Sequence, residues 1–218
     1  MTAQAGGASS LLPPSPMISL ERDRVRREMR AQRAALTAAA RKAAAASFAA
    51  IAMRAHLLRP GLRVAFYVAH RNEADPVELI ERARRLGCEV FLPVITDFRS
   101  NRMHFARYPR GGKLVPNRYG IAEPAGARLQ PTPVRTLDVV FLPLVAVDER
   151  GWRLGSGAGY YDRCLAHLRP PRHWRRPKLI GLAYEFQRIA HLTPAPWDVP
   201  LDAVLTEKDC YRIPRQEI

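Results

Sequence analysis

Hydrophobic positions fall first on a helical period and then in short, nearly continuous runs. From Leu20 to Leu36, "LERDRVRREMRAQRAAL", Val25, Met29 and Leu36 stand on a helical stripe among arginines. Thr37 is placed to cap a second, alanine-rich helix, "AAARKAAAASFAAIAMRAHLL", which must stop before Pro60-Gly61. The pattern then changes. "LRVAFYV" (Leu62–Val68) predicts a strand and "AHRNEAD" a loop. "PVELIERARRLG" predicts a helix opened by Pro76 and terminated by Gly87. "CEVFLPVI" and the shorter "RMHFARY" predict two more strands, followed by a polar, Pro/Gly-rich excursion from Pro109 to Pro133. "DVVFLPLVAVD" (Asp138–Asp148) is the most apolar strand; a glycine loop, a helix over "YYDRCLAHL", a strand over "KLIGLAYE" and a short strand near "DAVLTE" complete the order.

Strands that are apolar throughout must be covered on both faces, so the pattern predicts an α/β fold around a mostly parallel sheet. In such sheets ligands sit outside the carboxyl ends of the strands. Residues 1–18, rich in Ala, Gly, Ser and Pro, read as a disordered extension, and residues 19–218 as a single domain. No apolar run approaches the ~20 residues that span a bilayer, and "SSLLPPSPMI" lacks the basic start of a signal peptide. Cys88, Cys164 and Cys210 are far apart and odd in number, which fits reduced thiols in a cytoplasmic protein rather than a disulfide framework. The six histidines include no pair at helical ligand spacing, which disfavours a zinc site.

Charge narrows the partners. Lysine and arginine number 35 against 20 aspartates and glutamates, a net charge of +15. Such a surface draws anions: nucleic acid, or a phosphorylated or polycarboxylate small molecule. A solvated arginine-rich face is the plain alternative. No recognisable RNA- or DNA-binding module accompanies the charge, so nucleic acid is disfavoured as a partner.

The segment "RLGSGAGYYDR" (Arg153–Arg163) puts three glycines into five residues and follows them with two tyrosines and an aspartate. Between a strand and a helix, such glycines let backbone N–H groups approach a ligand, and the helix start adds partial positive charge. Phosphate is the natural guest. Asp162, in the first turn, would repel a bare phosphate, so the pairing makes best sense with Mg²⁺ between them. The alternative is a tight turn with Asp162 on the helix dipole. The spacing lacks the P-loop lysine and departs from the dinucleotide fingerprint.

In its longer context, "LPLVAVDERGWRLGSGAGYYDR" resembles the signature of the 5-formyltetrahydrofolate cyclo-ligase (5,10-methenyltetrahydrofolate synthetase) family. "LRVAFYVAHRNEADPVELI", "VFLPVITDFRSNRMHFARY", "LVPNRYGIAEP", "GLAYEFQRI" and "PWDVPLDAVLTE" resemble further family segments in order, so the likeness covers about residues 20 to 210. The resemblance implies a three-layer α-β-α sandwich, Rossmann-like and of the NagB/RpiA/CoA-transferase-like kind. It implies a monomeric, cytoplasmic enzyme that converts 5-formyltetrahydrofolate, ATP and Mg²⁺-dependently, to 5,10-methenyltetrahydrofolate, ADP and phosphate. ATP phosphorylates the formyl oxygen and N10 then closes the ring.

For individual residues, the resemblance implies an ATP loop of Arg153, Leu154, Gly155, Ser156, Gly157, Ala158, Gly159, Tyr160 and Tyr161, of which Ser156 to Tyr160 also face folate. It implies nucleotide contacts from Arg22 and Arg26. Arg22 stands where the family carries lysine, and neighbouring Arg24 or Arg27 are alternatives. Val68 and Glu73 take the folate positions, and Asp162 and Asp198 the Mg²⁺ positions, with Asp202 as an outer partner or simply the start of the last strand. Arg118, Tyr119 and Arg150 are candidates for phosphate or the folate glutamate tail. Two competing readings are a basic nucleic-acid-binding protein on the same scaffold and a paralogue acting on another ATP-activated amide.

Overall fold

The computed structural model describes residues 16–126, 131–169 and 177–214. Its helices are α1 (Pro16–Ala35), α2 (Ala38–Arg54), α3 (Val77–Arg85) and α4 (Tyr160–Cys164). Its strands are β1 (Arg63–Ala65), β2 (Glu89–Asp97), β3 (Arg102–Arg107), β4 (Leu114–Pro116), β5 (Ala122–Pro124), β6 (Val139–Pro143), β7 (Ala146–Asp148), β8 (Arg153–Leu154), β9 (Lys178–Leu182), β10 (Arg188–Ile189), β11 (Ala203–Leu205) and β12 (Cys210–Arg212).

The main sheet runs β12-β11-β9-β6-β1-β2-β3. Its five central strands are parallel, and β12 and β3 add an antiparallel edge on either side. Period-two alternation explains why these strands are apolar at almost every position. Val64, Val90, Leu92, Val139, Phe141, Ile180 and Leu205 face α2 and α3, where Phe48, Ile51, Leu79 and Ala83 meet them. Ala65, Phe91, Val140, Leu142, Leu179 and Val204 face the other way, onto Val134, Leu137, Leu165 and Leu168. Phe66 and Phe141 stack at 5.0 Å in the first layer. The three-layer α-β-α arrangement is thus present, with the second outer layer built from α4 and short 3-10 turns rather than long helices.

Thr37 caps α2 as its sequence implies, accepting from Ala40 N–H at 3.1 Å. Three expectations need correction. The extension predicted over 1–18 loses its last residues to α1, which starts at Pro16; residues 1–15 lie outside those described. The helix predicted over Tyr160–Leu168 is α4 alone, followed by a 3-10 turn at Ala166–Leu168. The strand predicted over Asp138–Asp148 is two strands in two sheets. β6 ends at Pro143, and the chain swings into a second sheet of order β10-β7-β8.

That break is secured by Gln187, which is 1 % exposed. Its amide nitrogen donates to the carbonyls of Leu144 (3.0 Å) and Val145 (2.8 Å), while its carbonyl accepts from Tyr184 N–H (2.9 Å). A hydrogen-bonding side chain thus satisfies carbonyls that lost their ladder partners when the strand left the sheet. The turn that seats Gln187 also delivers β10, parallel to β7. β7 and β8 form a hairpin whose Asp148 carboxylate, with a fully buried side chain, accepts from the backbone N–H groups of Arg150, Trp152 and Leu192. Among the described residues no helix is long and apolar enough to cross a membrane.

Replacing Gln187 by Leu keeps the bulk but strands two buried carbonyls and one N–H. The expected cost is about 3 kcal/mol, given about 1–3 kcal/mol for each buried polar group left unsatisfied. A urea unfolding curve measures it, and a loss below about 1 kcal/mol would show that the strand break does not depend on this amide.

Candidate active site

The carboxyl end of the central sheet opens into a cavity of about 550 Å³. Its floor holds Tyr67 and Val68 after β1, Pro93 and Ile95 of β2, and Pro143–Val145 where β6 ends. The glycine loop forms one wall, Arg30 and Arg33 of α1 another, and the β4–β5 hairpin the rim. That hairpin lies within the excursion predicted from Pro109 to Pro133. Asn117 organises it: its side-chain carbonyl accepts from Tyr119 and Ile121 N–H, and its amide donates to Glu123 at 2.7 Å. Glu123 in turn accepts from Ile95 N–H at 2.9 Å, which docks the hairpin on β2.

Three of the loop's carbonyls accept from side chains. Arg26 Nε donates to Gly155 O (3.1 Å), Arg30 to Ser156 O (3.0 Å), and both Asn101 and Arg163 to Ala158 O (3.0 Å each). None of the N–H groups of Gly155 to Gly159 has an acceptor among the described residues. Gly157 and Gly159 have φ of +108° and +72°, conformations that L side chains rarely adopt. Carbonyls engaged and successive N–H groups unbonded is the arrangement of an anion-binding nest. Because α4 has only five residues, its dipole adds little; backbone N–H groups and arginines must supply the positive field.

Arg153 is 3 % exposed, lines the cavity, and donates to Asp162 at 2.5 Å, while its Nε has no partner. Glu73 lines the same cavity. Its carboxylate accepts from His70 N–H at 3.1 Å, and burial raises its pKa above the ordinary 4.5, opposed by that bond and by Arg33. Burial likewise raises the pKa of Tyr161 far above the phenol's ordinary 10 and pushes the Cys164 thiol up to about 12, so both stay neutral.

The structure places the sequence-derived candidates unevenly. Val68, Glu73, Arg153, Gly155, Ser156, Gly157, Ala158, Gly159, Tyr160, Tyr161 and Asp162 all line the cavity. Leu154 does not: its side chain is fully buried with Val25 and Met29, and only its backbone belongs to the loop's base. Arg26 reaches the loop from outside, through Gly155 O. Arg22 is committed to Asp198 (2.8 Å) and Thr193 O (3.1 Å). Arg24 pairs with Glu28 at the surface, and Arg27 is exposed.

Asp162 and Asp198 are not brought into one cavity. Asp198 lines a separate hollow with Trp152 and Pro194, and its oxygens are taken by Arg22 and Ala195 N–H. No group of three or more His, Cys, Asp or Glu among the described residues could hold a metal. Asp162, bonded through one oxygen, fits the single-carboxylate contribution that Mg²⁺ accepts beside substrate phosphates; Asp198, saturated by Arg22, does not fit as a direct ligand here. Asp202 accepts from Leu179 N–H at 2.7 Å and serves the sheet. Arg150 is pinned on Asp148, and Arg118 stacks on Phe98 and Tyr119, of which only Tyr119 reaches the cavity. Sequence reasoning missed Arg30, Arg33, Asn101, Asn117 and Glu123. For Arg33 a signal existed: the buried positions of α1 are 22, 25, 29 and 33, so an arginine stands where the helical stripe calls for an apolar residue.

The profile of the 5-formyltetrahydrofolate cyclo-ligase family matches residues 18–207. The chain is 34% identical over 191 residues to the 5-formyltetrahydrofolate cyclo-ligase of Haemophilus influenzae, covering 87% of this chain and 99% of that one. It is 39% identical over 145 residues to the enzyme of that name from Escherichia coli, 66% of this chain and 76% of that one. The solution structure of the Aquifex aeolicus 5,10-methenyltetrahydrofolate synthetase superposes with a TM-score of 0.75 at 26% identity, covering 90% of this chain and 95% of that one. With its fold, its glycine loop and nearly its full length accounted for, the chain belongs to the 5-formyltetrahydrofolate cyclo-ligase family.

Proposed function

We propose that this cavity performs the reaction of the family, the ATP-dependent closure of 5-formyltetrahydrofolate to 5,10-methenyltetrahydrofolate with release of ADP and phosphate. The observation that carries the reading is the glycine loop: five consecutive backbone N–H groups without acceptors among the described residues, on a cavity that also holds Arg153 and the buried carboxylate Glu73. A phosphate-bearing substrate suits the first wall and the donor-rich pterin ring the second.

A formamide is a poor electrophile, and its oxygen leaves poorly. Phosphorylation of that oxygen makes it a leaving group, and N10 of the same molecule then attacks the formyl carbon, forming the C–N bond as the C–O bond to phosphate breaks. Both reacting groups are on one substrate, so the protein's work is alignment and charge neutralisation. The loop N–H groups of Gly155 to Gly159 cradle the ATP phosphates. Arg153, oriented by Asp162, offers its unpaired Nε–H to the transferring phosphoryl group. Arg26 and Arg30 hold the loop's carbonyls away and so keep its N–H groups turned to the ligand. Glu73 accepts from the pterin's N–H donors. Asp162 would hold Mg²⁺, which would supply positive charge against the phosphates. Asp198 acts from behind, as the counter-ion that fixes Arg22 and with it the start of α1.

Asp162→Asn keeps size and removes charge. Turnover, followed by methenyl-folate absorbance, is expected to fall at least ~10²-fold, the scale of losing one preorganised electrostatic group, together with a loss of stability because the buried Arg153 loses its carboxylate. Asp198→Asn leaves Arg22 buried without its counter-ion, and a stability loss of about 3–5 kcal/mol is expected with turnover largely kept. Equal loss of turnover in the two variants with no loss of stability in Asp198→Asn would make Asp198 a metal ligand after all.

Glu73 gives a pH prediction. Its pKa is raised in the fold, so its contribution to stability is greatest where the carboxyl is protonated and is lost as pH rises through the folded value. Glu73→Gln should therefore unfold at pH 7 no earlier than the wild type, the difference closing below about pH 4.5. Substrate binding runs the opposite way, because the ionised acceptor is needed: the KM for 5-formyltetrahydrofolate should rise ~10-fold or more in the variant. A lower unfolding temperature with an unchanged KM would make Glu73 a structural carboxylate.

A further inference from the structure

Helix α1 turns four residues inward: Arg22, Val25, Met29 and Arg33. The two arginines end differently. Arg22 has its carboxylate and a carbonyl. Arg33 is 4 % exposed, yet its Nε and one terminal nitrogen are buried with no hydrogen-bond partner among the described residues. Burial lowers its pKa, with Glu73 the leading opposing influence. A guanidinium left in this condition is costly, and nothing in the fold recovers the cost. Neighbouring groups are committed elsewhere: the Tyr67 hydroxyl donates to Ala74 O and the Tyr184 hydroxyl to Glu73 O. Arg33 lines the same cavity as Glu73. The cavity therefore presents a forked donor and an acceptor carboxylate in each other's electrostatic reach.

We propose that Arg33 is a substrate-specificity residue that donates to the 4-oxo group of the pterin while Glu73 accepts from the adjoining N3–H and 2-amino groups. The proposal rests on the folate reading of the cavity. Along that edge of the ring the order is donor, donor, acceptor. A carboxylate can accept from the first two but repels the lone pairs of the third, which needs a donor beside it. The other anionic parts of the substrates suit Arg33 less well. ATP phosphates and the glutamate tail are charged and would also meet Glu73, and the tail needs a solvent route that a residue this buried does not offer. A neutral carbonyl oxygen meets neither objection. A site built to hydrogen-bond a particular substrate group rejects the analogue lacking it, because its own buried donor is then left unpaired.

The test is equilibrium binding of 5-formyltetrahydrofolate and of its 4-amino counterpart, in which the acceptor oxygen is replaced by a donor and N3 loses its hydrogen; the N3 change faces Glu73 in wild type and Arg33 variants alike, so the change in preference on substituting Arg33 reads Arg33 alone. The proteins are the wild type, Arg33→Gln, Arg33→Lys and Glu73→Gln. Wild type is expected to prefer the 4-oxo ligand. Arg33→Gln should shrink that preference ~10-fold or more, Arg33→Lys should restore part of it, and Arg33→Gln should unfold no earlier than the wild type. Glu73→Gln should weaken both ligands. No preference in the wild type, or a preference that survives Arg33→Gln whether or not both affinities fall together, overturns the assignment. If Glu73→Gln still weakens folate in that case, the folate reading stands and only the role of Arg33 falls; if the wild type binds neither ligand, both fall.

Discussion

The side-chain amide of Gln187 occupies the point on which the rest of the site depends. A parallel sheet cannot place a loop over its own carboxyl edge unless a strand leaves it, and a strand that leaves gives up ladder partners in the interior. Here the loss falls on Leu144 and Val145, whose carbonyls are both taken by Gln187. With that exchange made, β6 can stop at Pro143, and β7 and β8 can form their hairpin in a second sheet. The glycine loop then lies across the end of the first sheet. Asp148 completes the turn by gathering the N–H groups of Arg150, Trp152 and Leu192 around one buried carboxylate. Two buried polar side chains thus replace the regular ladder where it is interrupted.

Arginine is used in two opposed ways. Arg22 is engaged by Asp198, and Arg150 by its near neighbour Asp148 and by the carbonyl of Leu192, so each ties together segments distant in sequence. Arg26 and Arg30 donate to loop carbonyls, which leaves the loop's N–H groups without protein acceptors. Arg153 and Arg33 keep buried nitrogens unpaired at the cavity. The net charge of +15 does not separate these cases. Partner geometry does: Arg22 and Arg150 end in hydrogen bonds, whereas Arg33, and Arg153 although it is ion-paired with Asp162, keep a buried nitrogen without a partner among the described residues. The Arg22–Asp198 pair also shows what an arginine does at a position where the family carries lysine. A planar fork binds a carboxylate through two nitrogens, at 2.8 and 3.3 Å, which a point charge does not.

The layers, the strand order by type and the glycine loop were legible because each depends on local pattern. β1, β2, β6, β9 and β11 are apolar at successive positions since both faces are covered, and Thr37 and the glycines mark their own turns. Family resemblance in the loop and in the segment around Glu73 brought the loop wall of the cavity, Val68 and Glu73 into view. What failed did so where a second element decides. Asp138–Asp148 reads as one strand, because nothing in "FLPLVAV" announces that an amide more than forty positions away will take two of its carbonyls. Asp198 reads as a partner of Asp162 until Arg22 is seen to occupy it.

The sequence by itself determined the fold class, the family and the position of the glycine loop, because hydrophobic period, glycine placement and motif are properties of neighbouring residues. Only the tertiary structure decided which charged groups are spent and which are free. Arg22 and Arg33 share a helix, a face and a side chain, and they differ only in whether the packed chain brings a carboxylate into hydrogen-bond contact. Pairing and desolvation are set by residues far apart in sequence, so no local pattern can carry that information.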